Sequence, residues 1–217
     1  MTSGDPAQQV FWIASRALGI VAIALLAISV SVGLAMSGRL ARKPGLPGRL
    51  KRVHEAMTLV TLGLIVAHAG VLLADGWLRP GVTGITLPFQ LGYRPLWTGT
   101  GIIAGWLAVI VGLSFYVRRL IGVATWRWLH RFTLVVYLLA LTHAVGAGTD
   151  GRSGWMMAML TVLTAPVVFG LAYRTLPAPP RAPRTASGGG AATTPSATDR
   201  RRALTVPTAG RAGPTSA

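Results

Sequence analysis

Apolar residues run almost unbroken through five stretches of this chain, roughly Val10–Met36, Val53–Ala74, Thr98–Val117, Trp128–Gly148 and Gly154–Tyr173. Each is long enough to cross a hydrocarbon core, which takes about 20 helical residues. Helix is the expected form, because the bilayer interior offers no water to an open backbone. Trp12, Trp77, Trp97, Trp126, Trp128 and Trp155 fall near the ends of the stretches, where amphipathic rings prefer to sit. Pro166 predicts a kink in the last one. The pattern predicts an all-α membrane protein, a bundle of about five transmembrane helices over residues 10–174. A short N-terminus, 1–9, precedes it and a tail, 175–217, follows.

Charge sets the orientation. Only 12% of the 217 residues are charged, with 21 basic against 5 acidic, where a soluble domain carries about 25% charged residues. A net charge of +16 would suit a nucleic-acid binder if it lay on a soluble face. Here the basic residues sit in short runs between apolar stretches, so no nucleic-acid partner is expected. Arg39, Arg42, Lys43, Arg49, Lys51 and Arg52 follow the first stretch, and Arg118, Arg119, Arg127 and Arg131 lie between the third and fourth. The tail is also basic, whereas the alternate loops hold only Arg79, Arg94 and Arg152, with Asp75 and Asp150 beside them. The positive-inside rule then puts the N-terminus outside and the C-terminus in the cytoplasm, as an odd number of spans requires, in a multi-pass protein of the inner (plasma) membrane. The first stretch is too long, and its N-terminal flank too poor in basic residues, for a cleaved signal peptide. Residues beyond Leu176 are rich in Pro, Ala, Gly, Ser, Thr and Arg, a composition that predicts disorder.

The candidate chemistry lies in the histidines. The chain has four, His54 and His68 in the second stretch and His130 and His143 in the fourth. At 1.5 Å per residue each pair is separated by about 20 Å along its helix. Two antiparallel helices therefore present two facing pairs at matched depths, His54 with His130 on the cytoplasmic side and His68 with His143 on the outer side. A six-coordinate haem takes one imidazole on each side of its plane, so one histidine from each of two helices is the expected source. The pattern predicts two b-type haems with these four histidines as axial ligands of the iron. Covalent c-type haem, iron–sulfur clusters and disulfides are excluded, because the chain has no cysteine. Ligands about 20 Å apart along a helix cannot share a zinc ion or a di-iron centre. One spacing is awkward: 14 residues return to within about 40° of the same helix face, but the 13 between His130 and His143 leave about 140°. Either the fourth helix is distorted or the two sites lie on different flanks of it.

The run from Arg118 to His143 resembles the ferric reductase-like transmembrane domain, with Trp126, His130, Arg131, Tyr137 and His143 at the positions of its Trp-x-x-x-His, Arg, Tyr and second His. His54 and His68 are similar to its other ligand helix, and Ser15-Arg16-x-x-Gly19 to the helix that precedes it; the likeness covers about Phe11 to Gly148. That superfamily includes ferric reductases, NADPH oxidases and the haem-binding membrane subunit of the periplasmic methionine sulfoxide reductase system. The resemblance implies a transmembrane electron carrier of cytochrome b type. The stretch 174–217 is too short for a flavin and nicotinamide domain, so the haem-only branch is the closer likeness. Its donor would be a quinol or a flavoprotein, and its acceptor an extracytoplasmic redox protein or ferric iron, making the chain an oxidoreductase component. Arg16, inside the first span, is expected to bind an outer haem propionate or to line the acceptor site, because an unpaired arginine there costs about 2.5–3.5 kcal/mol. Arg131, beside His130, is the matching candidate at the inner site. The other reading is a non-redox scaffold or small transporter in which the histidines are structural. The charge pattern itself makes a prediction: alkaline phosphatase fused after Arg174 should be inactive and a fusion near Thr83 active, and the reverse would exchange the two faces.

Overall fold

The computed structural model describes residues 6–37 and 45–175. The start of the N-terminus, the core of the first basic loop and the tail beyond Thr175 lie outside the described residues. The described residues form helices joined by short turns, with no strand among them. Eight α-helices follow one another: α1 (Pro6–Ser37), α2 (Leu46–Val71), α3 (Gly81–Thr86), α4 (Pro95–Leu113), α5 (Arg118–Ile121), α6 (Val123–His130), α7 (Thr133–Ala147) and α8 (Gly154–Thr175). A 3₁₀ turn, Leu72–Ala74, extends α2. Among the described residues five segments are long and apolar enough to cross a membrane: Val10–Ser37, Leu46–Ala74, Pro95–Leu113, Val123–Ala147 and Gly154–Thr175.

Two boundaries differ from expectation. Arg49, Lys51 and Arg52, which precede the second apolar stretch, lie on the opening turns of α2, which starts at Leu46–Pro47. Proline suits a first helical turn because the N–H it lacks would have no partner there. The fourth span starts at Val123 instead of Trp128 and is broken between α6 and α7. At the break the N–H groups of Arg131, Phe132 and Leu134 donate to the carbonyls of Trp128, Leu129 and Arg131, three residues back. Such a 3₁₀ step turns about 20° further per residue than an α-helical one. Three of them reduce the awkward angle between His130 and His143 from about 140° to about 80°. Distortion of the fourth helix therefore accounts for part of the angle that its 13-residue spacing leaves. Pro166 lies inside α8, which continues through it.

The centre of the bundle is α1, which packs on α2, α7 and α8, while α4 packs on α7. Its buried residues Ala27, Val30 and Leu34 meet Tyr137 of α7 and Val167 of α8, and Ile23 meets Met156 and Leu160. The approach of α8 to α1 depends on Gly170, where a Cβ would come within 3.1 Å of the Leu34 Cβ. Without a hydrophobic drive between helices in lipid, such close small-residue contacts carry much of the association. Val21, Ile28, Val66, Ile110, Val162 and Phe169 point away from the bundle, as lipid-facing residues do.

Tyr137 is the most buried aromatic residue of this core, 2% exposed, and its hydroxyl pairs with Thr164 Oγ1 at 2.8 Å. Tyr137→Phe should lower the stability of the purified protein by about 0.5–1.5 kcal/mol, the range of an interhelical hydrogen bond. Denaturant titration in mixed micelles measures it; an unchanged midpoint would mean that the hydroxyl pair contributes nothing.

Candidate functional site

The four histidines meet in the two pairs their spacing predicts. The rings of His54 and His130 have centroids 6.1 Å apart and planes at 85°. Those of His68 and His143 are also 6.1 Å apart, at 80°. All four side chains are half-buried. The helices carrying them pack mainly on others: α2 along α1 and lightly on α4, and α7 on α4 and α1. Within α2 only Thr61 is buried, and a Cβ at Gly63 or Gly70 would meet nothing within 4 Å. Side chains therefore reach toward one another across a gap between helices.

Three of the histidines are fixed in the same way. His68 Nδ1–H donates to the Ser15 carbonyl at 2.6 Å, His54 Nδ1–H to the Ser29 carbonyl at 3.0 Å, and His143 Nδ1–H to the Trp97 carbonyl at 2.8 Å. In each case the residue four positions beyond the carbonyl is glycine, and the imidazole lies against it. A Cβ on Gly19 would come within 3.0 Å of the His68 ring and one on Gly33 within 3.4 Å of His54, while one on Gly101 would overlap His143 outright. A helical carbonyl already accepts the N–H four residues on, but has a second lone pair. Glycine at that fourth position leaves the space the imidazole needs. The serines add to the hold: Ser15 Oγ–H donates to the His68 carbonyl at 2.9 Å, and Ser29 Oγ lies 3.0 Å from His54 Nδ1. His130 differs. Its ring stacks on Trp126, centroids 5.4 Å apart and planes at 26°, and no acceptor for it occurs among the described residues. Trp126 Nε1–H, also buried, has no partner among them either.

With Nδ1–H bonded to a carbonyl, a neutral histidine has its Nε2 lone pair free for a metal. An ion between two imidazole nitrogens at about 2.0 Å each, with about 1.1 Å from each nitrogen to its ring centre, puts the centroids about 6 Å apart. Both pairs meet that distance. The donor set thus fits a bis-imidazole iron porphyrin at each end. No group of three or more His, Cys, Asp or Glu side chains that could hold a metal ion directly occurs among the described residues.

The arginines fall differently. Arg16 is ion-paired with Asp150, in the turn before α8, and its guanidinium lies 5.4 Å from the Trp12 ring. Arg131 is exposed at the break after His130. Glu55, next to His54, accepts a hydrogen bond from the Tyr116 hydroxyl at 3.2 Å. The long loop before α4 is tied to the end of α7, where the Tyr93 hydroxyl donates to the Ala147 carbonyl at 3.3 Å and Arg94 Nη1–H to that of Gly146 at 2.7 Å. Comparison of the chain with family models, curated proteins and solved structures gives no match.

Sequence reasoning missed Ser29, Gly33, Trp97 and Gly101. A signal for the first two was present, since Ser15-x-x-x-Gly19 recurs as Ser29-x-x-x-Gly33 with the 14-residue spacing of His54 and His68. The glycine contacts predict a graded series. Gly101→Ala should displace His143 and cause the largest loss of haem bound on reconstitution, Gly19→Ala an intermediate loss and Gly33→Ala little. Pyridine haemochrome assay of each variant measures this, and equal retention in all three would refute the steric role of the glycines.

Proposed function

We propose that the chain is a transmembrane electron carrier of cytochrome b type, holding one b haem between His54 and His130 and a second between His68 and His143. The observation that supports it most is the repeated pairing, two imidazole pairs at the same 6.1 Å separation with three of the four Nδ1 atoms bonded to backbone carbonyls. When bound, the two haems supply one-electron chemistry at two depths of the bilayer, linking a cytoplasmic-side or quinol donor to an extracytoplasmic acceptor. The protein's part is to orient the rings, keep their Nε2 atoms unprotonated and exclude water, which together tune the potential. The orientation that follows from the basic runs places His54 and His130 toward the cytoplasm and His68 and His143 toward the outside. Arg131, exposed next to His130, is the candidate partner of a propionate at the inner site, while Arg16 shares its charge with Asp150. The likeness to the haem-only branch of the ferric reductase-like domain agrees with this assignment and leaves ferric iron or a partner redox protein as acceptor.

Protein expressed with haem available should carry two haems per chain and give low-spin bis-imidazole spectra. His54→Ala and His130→Ala should each remove the same haem, and His68→Ala and His143→Ala the other, as redox titration of the single variants would show. Absence of haem would make the histidines structural. Loss of haems of different midpoint potential in His54→Ala and His130→Ala would break the facing-pair assignment while leaving haem binding intact.

A further inference from the structure

At the His68–His143 end a cavity of about 370 Å³ opens between the start of α4 and the turn that leads from α7 to α8. Arg94, Trp97, Gly146, Thr149 and Arg152 are among the residues that line it. Its volume lies at the small end of the range for small-molecule sites, about 300–1,000 Å³. Trp97 is also the residue whose carbonyl fixes His143, so the cavity adjoins the support of an imidazole ligand.

The charge of this cavity has one sign. Two arginines line it and no acidic side chain does. The nearest carboxylate in sequence, Asp150, is engaged by Arg16 and does not neutralise them. Arg94 is fixed in place: its backbone lies in the left-handed region at φ 44° and ψ 59°, and one arm of its guanidinium is bonded to the Gly146 carbonyl. The guanidinium also lies 5.4 Å from the Tyr93 ring, and its other N–H groups make no hydrogen bond among the described residues. Arg152 is exposed and makes no hydrogen bond or ion pair among the described residues. Thr149 adds a hydroxyl to the lining. A planar guanidinium fork matches a carboxylate with two parallel N–H donors, and two such forks beside a hydroxyl suit a ligand with one or more carboxylates.

We infer that the Arg94–Arg152 cavity is a carboxylate-binding site beside His143. Two sources have this chemistry, a propionate of a haem held by His68 and His143, or a dissolved polycarboxylate arriving from the outer face. The first source rests on the two-haem reading and the second does not. The inference moves the anion-binding role at this end from Arg16, which already has a counter-charge, to the pair of arginines without one.

The test uses the full chain in nanodiscs, with citrate as the probe, inorganic phosphate as the comparison anion and Arg152→Gln as the main variant. Arg152 is exposed, so its substitution does not disturb the bond between Arg94 and Gly146; Arg94→Gln/Arg152→Gln is the stronger form. Calorimetric binding of citrate, weakened at least ten-fold by Arg152→Gln at unchanged haem content, identifies the dissolved source. No citrate binding, but a lower midpoint potential in Arg152→Gln for the haem that His143→Ala removes, identifies the propionate. The inference is overturned if neither variant changes citrate affinity or that potential, or if phosphate binds as tightly as citrate. Protein that holds no haem overturns the two-haem reading alone, and the citrate measurement on it still decides whether the cavity takes a carboxylate.

Discussion

A helical carbonyl that already accepts its own i+4 N–H retains one lone pair, and three such lone pairs hold histidines in this bundle. Leaving an imidazole N–H unpaired at membrane depth is costly, and no water is at hand to pair it. Ser15, Ser29 and Trp97 supply backbone acceptors, and Gly19, Gly33 and Gly101, four residues on, supply the room. The arrangement fixes the tautomer, because a ring that donates from Nδ1 presents Nε2 as its acceptor. It also fixes the rotation of each ring, since the carbonyl on one side and the glycine surface on the other leave little freedom.

This requirement accounts for the central place of α1. One set of its positions, Ser15, Gly19, Ser29 and Gly33, receives the histidines of α2, and another, Ile23, Ala27, Val30 and Leu34, packs on α7 and α8. The helix thereby connects the rigid part of the bundle to the open part. On the rigid side Gly170 lets α8 close on Leu34. On the open side α2 buries little of its own surface and is positioned mainly by α1. The second acceptor helix, α4, repeats the device once, with Trp97 and Gly101 holding His143 from the other flank.

Most of this architecture was legible in the sequence. The five spans follow from apolar run length, which residue type sets, and the two histidine pairs from the positions of the histidines and the constant rise per residue of a helix. The supports were harder to see because they act through the backbone. Any residue at position 97 offers the same carbonyl, so nothing in the identity of Trp97 announces its role; only Gly101, beside it, carries a trace. The ion pair of Arg16 with Asp150 joins the first helix to a distant turn, and no local pattern encodes such a contact. The α6–α7 break was half visible: the 13-residue spacing required some distortion, but the 3₁₀ bonds at Arg131, Phe132 and Leu134 depend on the tertiary setting. The charged opening of α2 escapes the apolar pattern because charge and helix are independent once a chain reaches the interface.

The two ends of the bundle share a ring separation but differ in how the rings are supported. At the His68–His143 end both imidazoles donate to carbonyls, and both rest on glycines. At the His54–His130 end only His54 does so. Fourteen residues on from Trp97 and Gly101 stand Val111, in α4, and Phe115, beyond its end, so the carbonyl–glycine pair that recurs on α1 does not recur there. His130 is supported instead by the face of Trp126, from its own helix, just before the chain turns at Arg131. A hydrogen bond at Nδ1 makes an imidazole more basic at Nε2, whereas stacking fixes only its plane. The chain therefore sets the donor strength of three of its imidazoles through the backbone and fixes the fourth chiefly by shape.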